Sequence, residues 1–309
     1  MTGPGIPRTC GHEGDRGLGA GPRRRGLATV GRSVPPPRPA GRPAVPDDAP
    51  RRWAARAEPR LGVRTAVVWE ALDPLVAAHA AALGSPLDVV DVGGGTGGFA
   101  VPLALLGHRV TVVDPSPDAL AALQRRAADA GVAERVHAEQ GDAGALSAVV
   151  GPAAADVLLC HGVLEHVDDP KGAVLDMLEV LRPDGLVSIL VAQRLGALLA
   201  RALSGRFAAA RRILEDPDGR TGPGDPVPRR FDRAGLLALF DDRAVRVRAL
   251  HGVRLFTDLL PGALVDGDAE AAAALLELER ATSELPELAA VAAQLHVVLQ
   301  RGPEAHPAT

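Results

Sequence analysis

The chain has 309 residues, 47% of them hydrophobic, and a formal net charge of −4. That is enough for one large core with a tail or for two small domains. Its two cysteines, Cys10 and Cys160, exclude a disulfide framework, no apolar run is expected to span a membrane, and the N-terminus lacks the apolar centre of a secretion signal. A cytoplasmic protein with no membrane partner is therefore expected.

Residues 1–58 are dense in Gly, Pro and Arg, include Pro35-Pro36-Pro37, and show neither helical nor strand periodicity. Such a composition buries too little apolar surface to offset chain entropy, so a disordered tail is expected. Arginines there outnumber acids more than twofold, which leaves the rest of the chain more acidic than the whole. A nucleic-acid-binding arm is one reading of the tail, and a non-essential extension is the other.

Order should begin near Leu61. Val67, Val68, Leu72, Leu75 and Val76 recur at helical spacing between Val63 and Leu83, and Gly84-Ser85-Pro86 stops the helix. Pro74 is expected to kink or divide it. Leu87 to Val92 then reads as a strand buried on both faces of a parallel sheet. Gly93, Gly94, Gly95 and Gly97 follow, where the backbone can approach a ligand without Cβ clashes. A helix from Gly98 to Leu105 would point its N-terminus at that ligand. The turn fits two patterns: Gly93, Gly95 and Gly98 give G-x-G-x-x-G, while Asp91 with Gly93, Gly95 and Gly97 gives D-x-G-x-G-x-G. Both serve a nucleoside, and both want an acid closing the next strand for ribose hydroxyls; His108 to Asp114 supplies it.

Alternation continues through a helix at Pro117–Gly131, a strand at Arg135–Asp142, a weak helix at Ala143–Val150 and a strand at Asp156–His161. A helix at Pro170–Leu181, a turn at Arg182–Gly185 and a strand at Leu186–Ala192 follow. This is the pattern of an α/β, doubly wound (Rossmann-like), mostly parallel sheet, with its ligand outside the carboxyl ends of the strands. Residues 194–230 form a cap insertion: an amphipathic, arginine-rich helical part to Glu215, then a loop of Asp, Pro and Gly. Its arginines, Arg230 among them, are placed to hold an anionic substrate group or simply to face solvent. A helix at Phe231–Phe240, a strand at Val245–Phe256, a helix at Asp268–Leu285 and a strand at Leu295–Gln300 close the domain. The two late strands would form an antiparallel edge pair, completing seven. The folded domain is thus 59–302, with 303–309 a disordered C-terminus.

Asp91, Asp114, Asp142 and Cys160-His-Gly-Val-Leu-Glu-His166 stand at the carboxyl ends of successive predicted strands. With Val113-Asp-Pro-Ser116, Gly141-Asp-Ala143 and Leu181-Arg-Pro-Asp-Gly185, they make an ordered series that resembles the class I S-adenosylmethionine-dependent methyltransferases from Arg60 to Arg301. Arg64-Thr-Ala-Val-Val-Trp69, His161-Gly-Val-Leu-Glu165, Gly252-Val-Arg-Leu-Phe256, Leu276-Glu-Leu-Glu279 and Leu295-His-Val-Val298 further resemble the bacterial enzymes that esterify 5-carboxymethoxyuridine at the tRNA wobble position. The resemblance implies S-adenosyl-L-methionine as cofactor. It implies that Gly93, Gly94, Gly95 and Gly97 lie along the cofactor, that Asp91 and Asp114 serve it, that Asp114 binds the ribose, and that Asp142 and Ala143 meet the adenine. It also implies cofactor contacts from Arg64 and His161, Arg64 pairing with the methionine carboxylate, and makes Arg254 a substrate anchor beside Arg230.

Methyl transfer from a sulfonium is an in-line displacement that needs alignment more than acid or base, and no metal. A carboxylate acceptor is already ionised, whereas a hydroxyl would draw on a base, for which His161 and His166 are the candidates. The implied partner is tRNA, and the alternative acceptor is a small metabolite. A nicotinamide-dependent oxidoreductase and a non-catalytic cofactor-binding protein are the competing classes. Oligomeric state is not legible in the sequence.

Overall fold

The computed structural model describes residues 59–240, 243–260 and 269–303, with side chains from Thr65 onward. The tails expected at 1–58 and after 303 lie outside the described residues.

Helix α1 (Pro59–Leu83) runs without a break through Pro74. A proline inside a helix costs about 3 kcal/mol, but Pro74 is exposed while Val68, Leu72 and Val76 are buried. Each of those side chains contributes roughly 1.5–3 kcal/mol by leaving water, so tertiary packing outweighs the local penalty. The same helix corrects the expectation about membrane-spanning runs. Thr65–Leu83 is long and apolar enough to cross a bilayer by length and composition. Val67, Val68, Trp69, Leu72, Val76 and Ala80 are nevertheless buried against the rest of the domain, while Leu83 is exposed, so one face of the helix is packed and the other is not.

The sheet is built from β1 (Asp88–Val92), β2 (Arg109–Asp114), β3 (Val136–Gln140), β4 (Ala155–His161), β5 (Leu181–Ala192), β6 (Val245–Val253) and β7 (Gln294–Arg301). Its order is β3-β2-β1-β4-β5-β7-β6, with β7 antiparallel to both neighbours and the pairs from β3 through β5 parallel. Helices α2 (Ala100–Leu105) and α3 (Pro117–Asp129) join α1 on one face. Leu87 and Val89 pack there with Leu72, Leu103 and Leu123. Helices α4 (Leu146–Val150), α5 (Pro170–Val180) and α8 (Arg233–Ala238) cover the other, where Val90 and Val92 meet Leu146, Met177 and Leu236. Residues on both faces of β1 therefore feed two cores, Val89 on one side and Val90 and Val92 on the other, with Asp88 and Asp91 as its two polar positions. The cap carries α6 (Arg194–Leu203) and α7 (Phe207–Glu215), and α9 (Ala269–Ser283) and α10 (Pro286–Ala289) precede β7.

Two elements depart from the sequence reading. The turn expected at Arg182–Gly185 lies inside β5: Ala155 pairs with Leu181 and Val157 with Leu186, so four residues bulge out, Asp184 among them at φ +62°. The bulge presents Arg182 to Asp88 and Asp156, both at 3.1 Å, while the Asp88 N–H donates to Asp156 at 2.9 Å and Arg109 Nε to Asp88 at 2.8 Å. This network ties β1, β2, β4 and β5 together at their amino ends. Strand β6 ends at Val253 instead of Phe256, because Arg254 turns left-handed (φ +62°). The N–H groups of Leu255, Phe256 and Thr257 then converge on the buried Glu279 carboxylate at 2.9, 2.9 and 2.8 Å.

Removing one partner of a buried charge pair leaves the other unpaired. Asp156→Ala is expected to lower unfolding stability by about 3 kcal/mol, measured by urea denaturation. A loss below about 1 kcal/mol, the scale of an exposed pair, would show that the network contributes little.

Candidate functional site

The carboxyl ends of β1 to β4 open on a cavity of about 590 Å³ whose wall includes Gly93, Asp114, Asp142, Ala143, Val163 and His166. Its floor is the turn after β1. Gly93 takes φ +66° and donates its N–H to the Val113 carbonyl at 2.7 Å. A Cβ on Gly94 would lie 2.5 Å from Asp91 Oδ2, so that position must be glycine for the turn to close over the acid. Asp91 is 3% exposed, and its Oδ2 has no hydrogen-bond partner among the described residues. Burial, with the charge of Asp114, pushes its pKa up to about 7.

Asp114 sits on the cavity wall with each oxygen held by one backbone donor: Gly95 N–H to Oδ2 at 3.0 Å and Ser116 N–H to Oδ1 at 2.9 Å. The helix that follows is capped by Ser116, whose Oγ accepts from the Ala119 N–H, so Asp114 is not consumed as the N-cap. Asp142 accepts from the Gly144 N–H at 2.8 Å and presents Ala143 to the cavity. Asp114, Asp142 and Ala143 thus line one cavity with Gly93.

Others are placed differently. The Cα of Gly97 faces the helix layer: a Cβ there would fall 2.3 Å from Leu123 Cδ1, so the glycine lets the turn after β1 pack closely against α3. Arg64 lies on α1, but its side chain is outside the described residues. Arg230 is 7% exposed and pairs bidentately with Asp225 at 2.7 and 3.0 Å, with a further bond to the Gly219 carbonyl. Against a burial that raises it, hydrogen bonds from Arg230 and the Thr221 and Val227 N–H groups hold the Asp225 carboxyl well below the carboxylate range. Arg230 thus stitches the cap loop together. Arg254 is off the strand, and its Nε donates to Asp258 at 2.9 Å. Both arginines expected as substrate anchors have partners within the chain.

His161 is partly buried at the end of β4 and stands edge-on to Phe99 at 4.7 Å between centroids. Its Nε2 lies 2.8 Å from Ser188 Oγ, which is also 2.8 Å from His296 Nε2. The His296 ring stacks on His251 at 5.5 Å, and His251 Nε2 is 3.5 Å from Glu284. Register explains the row: His161 pairs with Leu190, Leu190 with His296 and His296 with His251, while Ser188 lies two residues before Leu190. All therefore share one face across β4, β5, β7 and β6. Burial lowers the His161 pKa to about 3 and that of His296 well below its ordinary value. An imidazole so reluctant to take a proton is a poor general base at neutral pH, whereas His166 is exposed on the cavity wall.

Glu165 was not singled out from sequence. It is 3% exposed, with Oε1 accepting from the Ala192 N–H at 2.6 Å and Oε2 unpartnered among the described residues, and burial raises its pKa. Only its neighbourhood, an acid inside an apolar run after β4, could have signalled it.

A methyltransferase-domain family model matches residues 90–189. Over 202 residues the chain is 30% identical to the tRNA 5-carboxymethoxyuridine methyltransferase of Escherichia coli K12, covering 64% of this chain and 73% of that protein. It is 37% identical over 102 residues to a ubiquinone biosynthesis O-methyltransferase of Methylocella silvestris, covering 33% of this chain and 38% of that protein. A solved S-adenosylmethionine dependent methyltransferase from Mesorhizobium loti shares the fold, with TM-score 0.50 at 20% identity over 75% of this chain and 98% of that one.

Two desolvated imidazoles set a pH dependence. His161 and His296 stay neutral when folded but take protons near pH 6.5 when unfolded, so the stability present above 6.5 is lost as pH falls below it. Asp91 acts oppositely: it holds its proton to about pH 7 when folded but only to 3.8 when unfolded, so its contribution is largest below 3.8 and fades as pH rises to 7. His296→Gln is expected to flatten the loss of stability as pH falls below about 6.5. Urea denaturation across that range checks it, and an unchanged slope would refute it.

Proposed function

The chain belongs to the class I S-adenosylmethionine-dependent methyltransferases, and we propose that it esterifies a carboxylate of a modified wobble uridine in tRNA. The observation that carries the reaction type is the cavity at the carboxyl ends of β1 to β4, with Asp114 on its wall and, beneath its floor, an Asp91 oxygen that has no partner among the described residues. Similarity to the tRNA 5-carboxymethoxyuridine methyltransferase across most of that protein's length supports the acceptor. A tRNA acceptor also favours a cytoplasmic location.

S-adenosylmethionine, the cofactor of this family, supplies a methyl group on a positively charged sulfur. The residues present fit it. A buried carboxylate oxygen lacking a donor suits an ammonium or N–H group, so we assign Asp91 to that end of the cofactor. Each Asp114 oxygen takes one backbone N–H and keeps a lone pair for a hydroxyl, as ribose binding requires. Gly93, Gly94 and Gly95 form the turn, Asp142 and Ala143 are assigned to the adenine edge, and Arg64 to the methionine carboxylate.

The weak basicity of His161 favours an acceptor that needs no deprotonation. A carboxylate is such an acceptor; the enzyme's task is then to align it and exclude water. His161 is accordingly assigned a hydrogen-bonding role beside the cofactor. A hydroxyl acceptor, as the names of the ubiquinone-biosynthesis relatives suggest for them, would instead lean on His166 at the cavity wall.

Transfer of labelled methyl to bulk tRNA and to a small-metabolite extract separates these acceptors; label confined to small molecules would reject the tRNA reading. His166→Ala is expected to leave transfer to a carboxylate intact. Loss of the charged hydrogen-bond acceptor in Asp114→Ala is expected to weaken S-adenosylmethionine binding by about 10- to 100-fold, measured by calorimetry. An affinity within about twofold of wild type would remove Asp114 from the cofactor site.

A further inference from the structure

Helices α6 and α7 leave an unusual tip in solvent. Leu203 is 67% exposed, Phe207 70% and Leu214 58%. Residues 194–215 carry Arg194, Arg201, Arg206, Arg211 and Arg212 against a single acid, Glu215. Arg194 and Arg212 are spent on the cap loop, bonding the Asp216 and Thr221 carbonyls at 2.8 Å. Arg211 makes only an exposed pair with Glu215 at 3.2 Å. Among the described residues, Arg201 and Arg206 have no acidic partner.

The root of this hairpin is fixed while its tip is free. Gly196 is so close to the segment before β7 that a Cβ would fall 2.0 Å from the Ala292 carbonyl. Gln193 donates to the Ala289 and Ala292 carbonyls at 2.9 and 2.8 Å. The chain returning from the cap is tied to the cavity rim, because Arg229 donates to the carbonyl of Val167, a wall residue, at 2.7 Å. The hairpin therefore stands at the ligand end of the sheet as a preformed projection.

An exposed ring flanked by guanidinium groups lacking acidic partners, on a chain otherwise net negative, fits a partner with flat π faces and an anionic backbone. Bases stack on aromatic side chains, and phosphates pair with arginine. We propose that the α6–α7 tip is an RNA-docking surface, with Phe207 stacking on an unpaired base and Arg201, Arg206 and Arg211 meeting the flanking phosphates. This rests on the tRNA reading above and adds where the RNA is gripped.

The test uses the full chain and a labelled, unmodified anticodon stem-loop RNA, titrated by anisotropy at several salt concentrations. Phe207→Ala is expected to weaken binding about tenfold or more with the salt slope unchanged. Arg206→Ala combined with Arg211→Ala is expected to reduce the slope of log affinity against log salt by about 1.4–1.8. Calorimetric affinity for S-adenosylmethionine should be unchanged in every variant. If wild type binds RNA and the variants bind it equally well, the docking surface is overturned and the tRNA reading stands. If wild type binds no RNA, both fall. Sedimentation with phosphatidylglycerol vesicles that Phe207→Ala abolishes, with RNA binding untouched, would overturn the proposal in favour of a membrane surface.

Discussion

Asp91 lies under a turn that admits no Cβ above it, and the geometry of the ligand end follows from that fit. The acid is carried there by β1, the strand whose alternate residues feed both cores, so its depth is set by packing on two faces at once. Gly94 then seats directly on the carboxylate. The next residue's N–H reaches across to Asp114 on β2, linking the two acids through backbone. A substitution in β1 that moved the strand would move both. Burial above all, and the like charge of Asp114 after it, disfavour a charged Asp91 and raise its pKa. The site is thereby built to receive positive charge or donors.

The two ends of the sheet divide their tasks. At the amino ends, Asp88, Asp156, Arg109 and Arg182 satisfy one another. At the carboxyl ends, Asp91 and Glu165 each leave an oxygen unpartnered among the described residues. Buried polar atoms are normally paired. The asymmetry therefore marks the ligand side without reference to any relative, and it agrees with the general position of ligands in open α/β sheets.

Much of this was legible in the sequence because the signals were local. The apolar run before Gly93, the acid closing β2 and the alternation of elements depend on neighbours in the chain, and all the expected strands formed. What failed depended on partners distant in sequence. Pro74 did not divide its helix because Leu72 and Val76 are held by the core. The Arg182 turn joined a strand because Asp88 and Asp156 wait across the sheet. Arg254 left its strand because Glu279, 25 positions on, gathers the following N–H groups. Arg230 looked like a substrate anchor because nothing in the sequence reveals that Asp225 clamps it. Arginine reads the same whether its acid is a ligand or a neighbour.

The hydroxyl of Ser188 stands between two imidazole nitrogens at equal distance, and it carries one hydrogen. It can donate to one ring and must accept from the other, so His161 and His296 are obliged to be opposite tautomers. The ring that donates through Nε2 has a bare Nδ1, and the ring that accepts has its proton on Nδ1. The face His161 turns toward its surroundings, donor or acceptor, is therefore chosen by a histidine two strands away on β7. Neither histidine can drift in sequence alone without reversing or breaking that choice, which makes a core residue with no contact to the cavity part of what the cavity's neighbour can recognise.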